Sequence, residues 1–262
     1  MCSNARLMRR ALVTGGSRGL GLCIAKELAK KGLKVFCTYA HDAAGAQAAV
    51  LEAQAEGLHL SAVACDAGDP AAWQSLFQRG TELYEEGVAV LVHAAGFTRD
   101  KLLLTMPPSD FDDVLSTHLR GAYLATQAVL RGMIAARFGR IVFITSPTAT
   151  LGRRGQTNYG AAKAGLFGLM RSLIFEVSRF QITVNCVSAG LCKTALTADL
   201  SADLHKELLD SIPMQRLGNP EEIAALVTFL SGESAGYITG QLLAADGGLD
   251  AVSAIAATAE AW

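Results

Sequence analysis

The chain has 262 residues, of which 51% are apolar and 18% are charged, and its formal net charge is −1. This composition excludes a disordered chain, and the near-zero charge argues against a general attraction to nucleic acid or to an anionic membrane. No apolar run approaches the roughly 20 residues that a membrane-spanning helix needs, and the basic N-terminus lacks the apolar stretch of a signal peptide. We therefore expect a cytoplasmic protein whose partners include neither nucleic acid nor a membrane.

Short apolar segments alternate with longer amphipathic segments along the whole chain. The predicted strands are 11–14, 34–39, 59–64, 88–93, 140–145, 182–187 and 241–245, and the predicted helices include 19–31, 70–85, 109–137, 158–179 and 220–231. Such alternation is typical of a parallel sheet with helices on both faces. We expect an α/β fold, a single doubly wound Rossmann domain over 1–262 with a seven-stranded parallel sheet. Residues 1–9 and 253–262 are expected to be frayed or at subunit contacts.

The cysteines of the chain do not suggest a metal site or a disulfide framework. They are Cys2, Cys23, Cys37, Cys65, Cys186 and Cys192, with no CxxC motif and no metal-ligand spacing. Free cysteines in apolar segments behave as small hydrophobic residues, and disulfides are rare in a reducing compartment. We expect reduced thiols and no bound metal.

A glycine-rich turn follows the first predicted strand. Three glycines between positions 15 and 21 have the spacing G-x-x-x-G-x-G, and an amphipathic helix begins within the turn. Glycine lets the backbone approach a pyrophosphate, and the N-terminus of a helix offers unpaired N–H groups with a partial positive charge. In this strand–turn–helix context the motif predicts a dinucleotide site. The predicted cofactor contacts in the turn are Gly15, Ser17, Arg18, Gly19, Leu20 and Gly21.

The end of the second predicted strand distinguishes the two nicotinamide cofactors. An NAD site usually has an acidic residue there, which binds the ribose 2′-hydroxyl. Here the strand ends at Tyr39, no acid precedes Asp42, and Arg18 in the glycine turn can reach the same ribose. An arginine with no carboxylate beside it favours binding of the 2′-phosphate of NADPH. His41 can provide a further hydrogen-bond donor to that phosphate. We expect NADP(H) as the cofactor, with Tyr39 and His41 among its contacts.

A second motif brings together a tyrosine, a lysine and a serine. Tyr159 and Lys163 are four residues apart and share a face of a predicted helix, and Ser146 ends a strand thirteen residues before the tyrosine. A nearby ammonium favours the phenolate and lowers the pKa of a phenol that otherwise titrates near pH 10. The serine hydroxyl can donate a hydrogen bond to a substrate carbonyl. The set predicts acid–base chemistry on a carbonyl.

Together these motifs resemble the short-chain dehydrogenase/reductase family over nearly the whole chain. Within that family the chain looks most like the 3-oxoacyl-(acyl-carrier-protein) reductases. The similar stretches are 96–100, 139–142, 155–159, 182–185 and 237–240. The resemblance implies NADPH-dependent reduction of a 3-oxoacyl thioester to the 3-hydroxyacyl form, in fatty acid or polyketide-type biosynthesis.

The resemblance also assigns roles to individual residues. It implies that Tyr159 gives a proton to the carbonyl oxygen, that Ser146 bonds to the same oxygen, and that Lys163 also binds the nicotinamide ribose. Further cofactor contacts implied by the resemblance are Asp66, Ala94, Ala95, Gly96, Gly190 and Thr194.

The main departure from the family pattern is His118, where the family usually carries Asn. That Asn is thought to hold a water that passes protons to Lys163. A neutral imidazole can also donate and accept a hydrogen bond, so it can hold that water. Because an imidazole titrates near pH 6.5, the alternative is that it relays protons itself. Three interpretations remain open: a working catalytic substitute, a slow enzyme, or an inactive cofactor-binding paralogue. His93 replaces the first Asn of the family's NNAG motif, and we interpret it as a satisfied core histidine or one adjacent to the cofactor, and not as a catalyst.

The predicted partner is a substrate linked to acyl carrier protein, which is acidic and needs surface cations to dock. Arg137 matches a basic docking position of such reductases, and Arg131 and Arg179 are expected to assist. Solvated helix ends are an equally simple explanation of these three arginines. The substrate loop, from 191 to about 209, is mostly apolar and small. Surplus apolar surface on the helices 109–137 and 158–179 predicts a contact between subunits, and the resemblance implies a homotetramer or a dimer. The alternative substrate is a free ketone or alcohol.

Overall fold

The computed structural model describes residues 10–78, 87–193 and 209–251. Its seven parallel strands are β1 (Arg10–Thr14), β2 (Lys34–Tyr39), β3 (Leu60–Ala64), β4 (Val90–His93), β5 (Gly139–Thr145), β6 (Ile182–Ala189) and β7 (Leu242–Ala245). They form one sheet in the order β3-β2-β1-β4-β5-β6-β7. From β1 the chain adds strands on one side up to β3, and it then returns to add β4 to β7 on the other side. In such sheets ligands bind beyond the carboxyl ends of the strands at the point where the strand order reverses, here between β1 and β4. The predicted fold class is confirmed.

The helices lie on both faces of this sheet. They are α1 (Gly19–Lys30), α2 (Ala43–Ala55), α3 (Pro70–Gln78), α4 (Pro108–Leu115), α5 (Gly121–Ala136), α6 (Thr148–Leu151), α7 (Thr157–Val177) and α8 (Pro220–Leu230). Short 3₁₀ turns occupy Leu103–Thr105, Ser178–Phe180 and Glu233–Ala235. None of the helices within the described ranges is long and apolar enough to cross a membrane.

Two apolar layers hold the sheet between the helices. Side chains alternate along a strand, so Val13 of β1 packs with α1 and α8, while its neighbour Leu12 packs with α5 and α7. Strands β4 and β5 are buried along their full length. The centre of the sheet is therefore a rigid support for residues at the carboxyl ends of β1, β4 and β5.

The structure differs from the predicted helices in three places. Helices α2 and α6 were not predicted; the sequence of α2 is rich in alanine and has little contrast between its buried and exposed sides. The predicted helical stretch 109–137 is helical from residue 109 to residue 136, but a π-helical turn at Ser116–Arg120 separates α4 from α5. Such turns are often found at functional sites. This one contains His118.

Several predicted features lie outside the described residues. These are Thr194, most of the substrate loop, the two terminal segments and the end of the predicted helix 70–85. The extent of the domain over 1–262 therefore stays a prediction.

Candidate active site

The predicted acid–base residues lie together beyond the carboxyl end of β5. Ser146 directly follows this strand, and Tyr159 and Lys163 are on consecutive turns of α7. The Lys163 side chain is buried, and its Nζ donates a hydrogen bond to the backbone carbonyl of Ile144, at 2.7 Å. Ser146 Oγ accepts a hydrogen bond from the N–H of Thr148, at 3.3 Å. The three side chains thus surround one end of the central sheet.

The electrostatic environment of Tyr159 differs from the one that the sequence predicts. Burial raises the pKa of the phenol above 10.0, the Ser146 hydroxyl acts in the opposite direction, and the Asp100 carboxylate raises this pKa further. Burial also lowers the pKa of Lys163 from 10.5 to about 7. The predicted lowering of the phenol pKa by Lys163 is therefore wrong for this structure. The reason is physical: both groups are desolvated, and the ammonium is directed at a backbone carbonyl.

His118 lies against Tyr159 from the π-helical turn. The two rings meet edge to face, with centroids 5.2 Å apart and an interplanar angle of 87°. The His118 Nε2 atom lies 2.8 Å from the carbonyl oxygen of Phe97 and 3.1 Å from its backbone nitrogen. We assign the proton to Nε2, because the shorter contact is then a donated hydrogen bond.

The other nitrogen of His118 has a different environment. Nδ1 is buried and has no hydrogen-bond partner among the described residues. Burial, and then the charge of Lys163, lower the pKa of His118 well below 6.5. The imidazole is therefore neutral at physiological pH, with a buried acceptor.

Gly96 makes room for this imidazole. A Cβ atom at Gly96 would overlap the His118 ring. Residue 96 was predicted as a cofactor contact, and the structure shows that it also lies against His118.

Two residues that sequence reasoning did not single out position the tyrosine helix. Asn158 is fully buried, and its amide donates hydrogen bonds to the carbonyls of Arg99 and Asp110, both at 3.1 Å. Gln156 donates to Asp100 Oδ2 at 2.8 Å. Their only sequence signal is that they lie in the stretch 155–159, three residues and one residue before Tyr159.

The glycine turn has the shape of an anion cradle. Gly15 and Gly19 have φ of 64° and 54°, in the region that favours glycine. A Cβ at Gly15 would come within 2.7 Å of Ala95 Cα, whereas a Cβ at Gly19 would meet no atom within 4 Å. Helix α1 starts at Gly19 with no side-chain cap, so the N–H groups of its first turn are available to a ligand. These features fit a bound pyrophosphate.

The residues at the end of β2 leave no carboxylate for a ribose. Tyr39 is half-buried, and His41 and Arg18 are exposed. The carboxylate of Asp42 caps α2 instead, because its Oδ1 accepts the N–H of Gly45 at 2.8 Å.

The other predicted cofactor residues lie around the same edge of the sheet. The Oδ1 atom of Asp66 accepts the N–H of Gly68 at 2.9 Å, which orders the turn after β3. Ala94 and Ala95 follow β4, and their backbone N–H groups donate hydrogen bonds to the hydroxyl of Thr14 at the end of β1. Gly190 follows β6 and is packed so closely on Asp246 that a Cβ would overlap it.

The three predicted docking arginines are all exposed. Arg137 ends α5, and its Nη2 donates to the backbone carbonyl of Arg179, at 3.1 Å. The guanidinium carbons of Arg137 and Arg179 lie 5.9 and 4.8 Å from the centre of the Phe180 ring. These two arginines therefore form one basic patch, and Arg131 is on the preceding turns of α5.

Comparisons with known proteins agree with this geometry. The model of a family described as enoyl-(acyl carrier protein) reductase matches residues 15–250. The 3-oxoacyl-(acyl-carrier-protein) reductase FabG of Escherichia coli (strain K12) is 43% identical over 241 residues, which cover 91% of this chain and 96% of that protein. FabG of Chlamydia trachomatis serovar D is 39% identical over 241 residues, 92% of this chain and 97% of that protein.

A solved structure extends the similarity to three dimensions. A candidate gluconate dehydrogenase from Agrobacterium tumefaciens superimposes with a TM-score of 0.88 at 30% sequence identity. The alignment covers 93% of this chain and 97% of that one.

Proposed function

The chain belongs to the short-chain dehydrogenase/reductase family, and we propose that it reduces a 3-oxoacyl thioester on acyl carrier protein to the 3-hydroxyacyl thioester. NADPH is the hydride donor, and the pathway is fatty acid or polyketide-type biosynthesis. The observation that carries this proposal is the cluster of Ser146, Tyr159 and Lys163 beside a glycine cradle. Relatives that are 39–43% identical over more than nine-tenths of the chain and act as 3-oxoacyl reductases support the substrate class.

Tyr159 is the proton donor of the reduction. When bound, NADPH supplies a hydride, which forms the new C–H bond at the ketone carbon. The electron pair of the C=O bond moves to oxygen, and the phenol of Tyr159 gives that oxygen its proton. Burial keeps the phenol protonated at neutral pH, as a proton donor must be. Ser146 donates a hydrogen bond to the same oxygen and lowers the cost of the developing charge.

Lys163 restores the proton of Tyr159. Its pKa is lowered by burial to about 7, so its ammonium gives up a proton readily near neutral pH. The bond from Nζ to the Ile144 carbonyl keeps the amine at the base of the site. Its remaining N–H groups are available to the nicotinamide ribose.

We propose that His118 is a working substitute for the usual Asn. Its buried Nδ1 is an acceptor without a partner among the described residues, so it can hold a water between itself and Lys163. Its strongly lowered pKa speaks against a relay in which the imidazole itself becomes charged. The proposed role is therefore that of a neutral acceptor.

NADPH rather than NADH fits the end of β2. The nearest acid, Asp42, is used in the cap of α2. Arg18 and His41 are exposed at the same edge and supply charge and hydrogen bonds for a 2′-phosphate. The other proposed cofactor contacts are Gly15, Ser17, Gly19, Leu20, Gly21, Tyr39, Asp66, Ala94, Ala95, Gly96, Gly190 and Thr194.

The proposed dock for acyl carrier protein is the patch of Arg137 and Arg179, with Arg131 beside it. Arg137 and Arg179 both lie against the Phe180 ring, which holds two like charges together for an acidic partner. Their exposure supports this role.

The proposed assembly is a homotetramer or a dimer. A groove of about 670 Å³ runs between α4, α5 and α7 and includes Leu119, Tyr123 and Leu169. On α7, Phe175 is 88% exposed. Exposed apolar side chains on neighbouring helices are typical of subunit contacts. The cytoplasmic location stays a prediction.

The test compares three substrates. Loss of NADPH absorbance is followed with acetoacetyl-acyl carrier protein, acetoacetyl-CoA and a free ketone, with Tyr159→Phe as the inactive control. We expect turnover of the thioesters. Reaction with free substrates alone would instead support the alternative that the resemblance to a candidate gluconate dehydrogenase suggests. NADPH binding without turnover of any substrate would identify a cofactor-binding paralogue.

A further inference from the structure

His93 joins two parts of the site that are far apart in the sequence. It is the last residue of β4 and is fully buried. Its Nδ1 lies 2.9 Å from the hydroxyl oxygen of Thr14, at the end of β1. Its Nε2 lies 3.0 Å from the backbone carbonyl oxygen of His118, in the π-helical turn. One side chain thus bridges the central sheet and the turn that faces Tyr159.

The direction of each hydrogen bond in this bridge follows from the partners of Thr14. The Thr14 Oγ1 atom accepts the backbone N–H groups of Ala94 and Ala95, both at 3.2 Å. A hydroxyl has two acceptor sites and one proton, so the Thr14 proton must go to Nδ1 of His93. Nε2 then carries the imidazole proton and donates it to the His118 carbonyl. Only the neutral Nε2–H tautomer satisfies all four contacts.

Burial maintains this tautomer over the whole physiological range. It lowers the pKa of His93 to about 3, and the nearby charge of Lys163 acts in the same direction. The other groups that face His93 are the Thr14 hydroxyl and the backbone carbonyls of Thr117 and His118, which carry no charge, and the His118 imidazole, which burial keeps neutral. The bridge is therefore a fixed structural link under conditions where the enzyme works.

The Thr14 end of the bridge belongs to the cofactor cradle. Thr14 directly precedes Gly15, whose backbone is so close to Ala95 that no Cβ fits between them. The hydroxyl of Thr14 thus fixes the spacing between the glycine turn and the segment after β4.

The His118 end belongs to the proton-donor side. A π-helical turn contains an extra residue, so its backbone hydrogen bonds depart from the regular α-helical pattern. His93 donates a hydrogen bond to the backbone carbonyl of residue 118 within this turn. The imidazole of the same residue 118 packs edge-on against Tyr159.

We propose that His93 is a positioning residue that couples the dinucleotide cradle to the proton donor, by bonding Thr14 with one ring nitrogen and the carbonyl of His118 with the other. This inference rests on the proposed function, because it assumes that a dinucleotide and Tyr159 act together. It assigns no proton transfer to His93.

The first test requires no variant and no substrate. Nitrogen NMR of ¹⁵N-histidine-labelled protein reports the tautomer of each imidazole. We expect the Nε2–H tautomer for His93, with no titration between about pH 5 and 8. An Nδ1–H tautomer, or a titration in that interval, would overturn the proposal even if the enzyme's substrate proved to be different.

The second test separates a link from simple core packing. His93→Phe fills the space but makes neither bond, and His93→Gln retains a donor and an acceptor. Phe143→Leu, at the position paired with His93 on β5, is the matched control for loss of packing. The dissociation constant for NADPH, kcat and the thermal unfolding midpoint are measured for each variant.

If His93 couples the two parts of the site, NADPH affinity and kcat should decrease together in its variants. In His93→Phe we expect weaker NADPH binding and a kcat that is lower by about tenfold to a hundredfold, as for sub-ångström to ångström misplacement of a catalytic group. His93→Gln should recover part of both, and Phe143→Leu should lower only the unfolding midpoint. A folded His93→Phe protein with wild-type binding and kcat would overturn the proposal. If His93→Phe does not fold, either of two results would overturn the proposal equally. One is wild-type NADPH binding and kcat in His93→Leu, and the other is the same loss of both in His93→Gln as in His93→Leu.

Discussion

The Nζ atom of Lys163 lies 5.6 Å from the centre of the Tyr159 ring. At that distance, and with its hydrogen bond directed at a strand carbonyl, the amine does not hold the phenol in its ionised form. The phenol is therefore protonated and can give its proton to a substrate oxygen, and Lys163, whose pKa is lowered to about 7, can replace that proton.

Replacing Tyr159 with Phe tests this arrangement directly. The variant loses only the hydroxyl, so we expect kcat to fall by at least about a hundredfold, the lower end of the contribution of a general acid. NADPH affinity should be unchanged, as measured by fluorescence titration. Ser146→Ala is the companion variant, and it should reduce kcat less because it removes a hydrogen bond and not the proton. A Tyr159→Phe enzyme with the wild-type rate would remove this residue from its proposed role.

The free energy of unfolding should depend on pH because Lys163 is buried. The pKa of Lys163 is about 7 in the folded protein and 10.5 in its ordinary state, so the unfolded chain binds more protons between these values. The free energy of unfolding then gains a contribution that rises with pH across that interval. Denaturant titrations of the cofactor-free protein at several pH values measure it. In Lys163→Met the rise should be absent, and parallel profiles for the two proteins would contradict the lowered pKa.

His118 should act through its unprotonated ring. We expect the pH profiles of kcat/KM of the wild type and of His118→Asn to have the same shape between about pH 6 and 8, because burial lowers the pKa of His118 well below 6.5 and an inflection near pH 7 then belongs to Lys163. His118→Asn should retain most of kcat, since an amide oxygen can replace the Nδ1 acceptor. His118→Phe should lose about tenfold or more, as expected when a proton path is interrupted. Equal rates for all three proteins would show that residue 118 only fills space.

Most of the fold could be predicted because burial leaves a direct trace in the sequence. The strands that are buried on both faces, such as β4 and β5, read as continuous apolar runs. Helix α2 was missed since alanine suits buried and exposed positions alike. The π-helical turn was also missed, because the apolar pattern of 109–137 continues through Ser116–Arg120 without a break.

The identities of the site residues were predictable, but their environments were not. The spacing of Tyr159 and Lys163 on one helix puts them on the same face. The hydrogen bond of Lys163, however, depends on the position of the Ile144 carbonyl. This position results from the packing of α7 on β5. In the same way, the two bonds of His93 join residues 79 and 25 positions away. No local pattern reports contacts of that kind.

Cofactor choice should depend on Arg18. If its guanidinium binds the 2′-phosphate, Arg18→Ala should raise the KM for NADPH by roughly tenfold to a hundredfold, which corresponds to the loss of a charge-assisted hydrogen bond. The KM for NADH should change little, because NADH lacks that phosphate. His41→Ala is expected to show a smaller effect in the same direction. An equal loss with both cofactors would mean that Arg18 only shapes the glycine turn.

The basic patch should distinguish a protein-linked substrate from a free thioester. Arg137 and Arg179 lie against the same ring, so we expect the double substitution Arg137→Glu and Arg179→Glu to repel an acidic carrier. The KM for acetoacetyl-acyl carrier protein should rise by roughly tenfold at low salt, and less at high salt, where exposed charges are screened. The KM for acetoacetyl-CoA should be nearly unchanged. Arg171→Glu, an exposed arginine elsewhere on α7, is the matched control. A similar increase in that control, or an increase for both substrates, would point to a general charge effect and not to a dock.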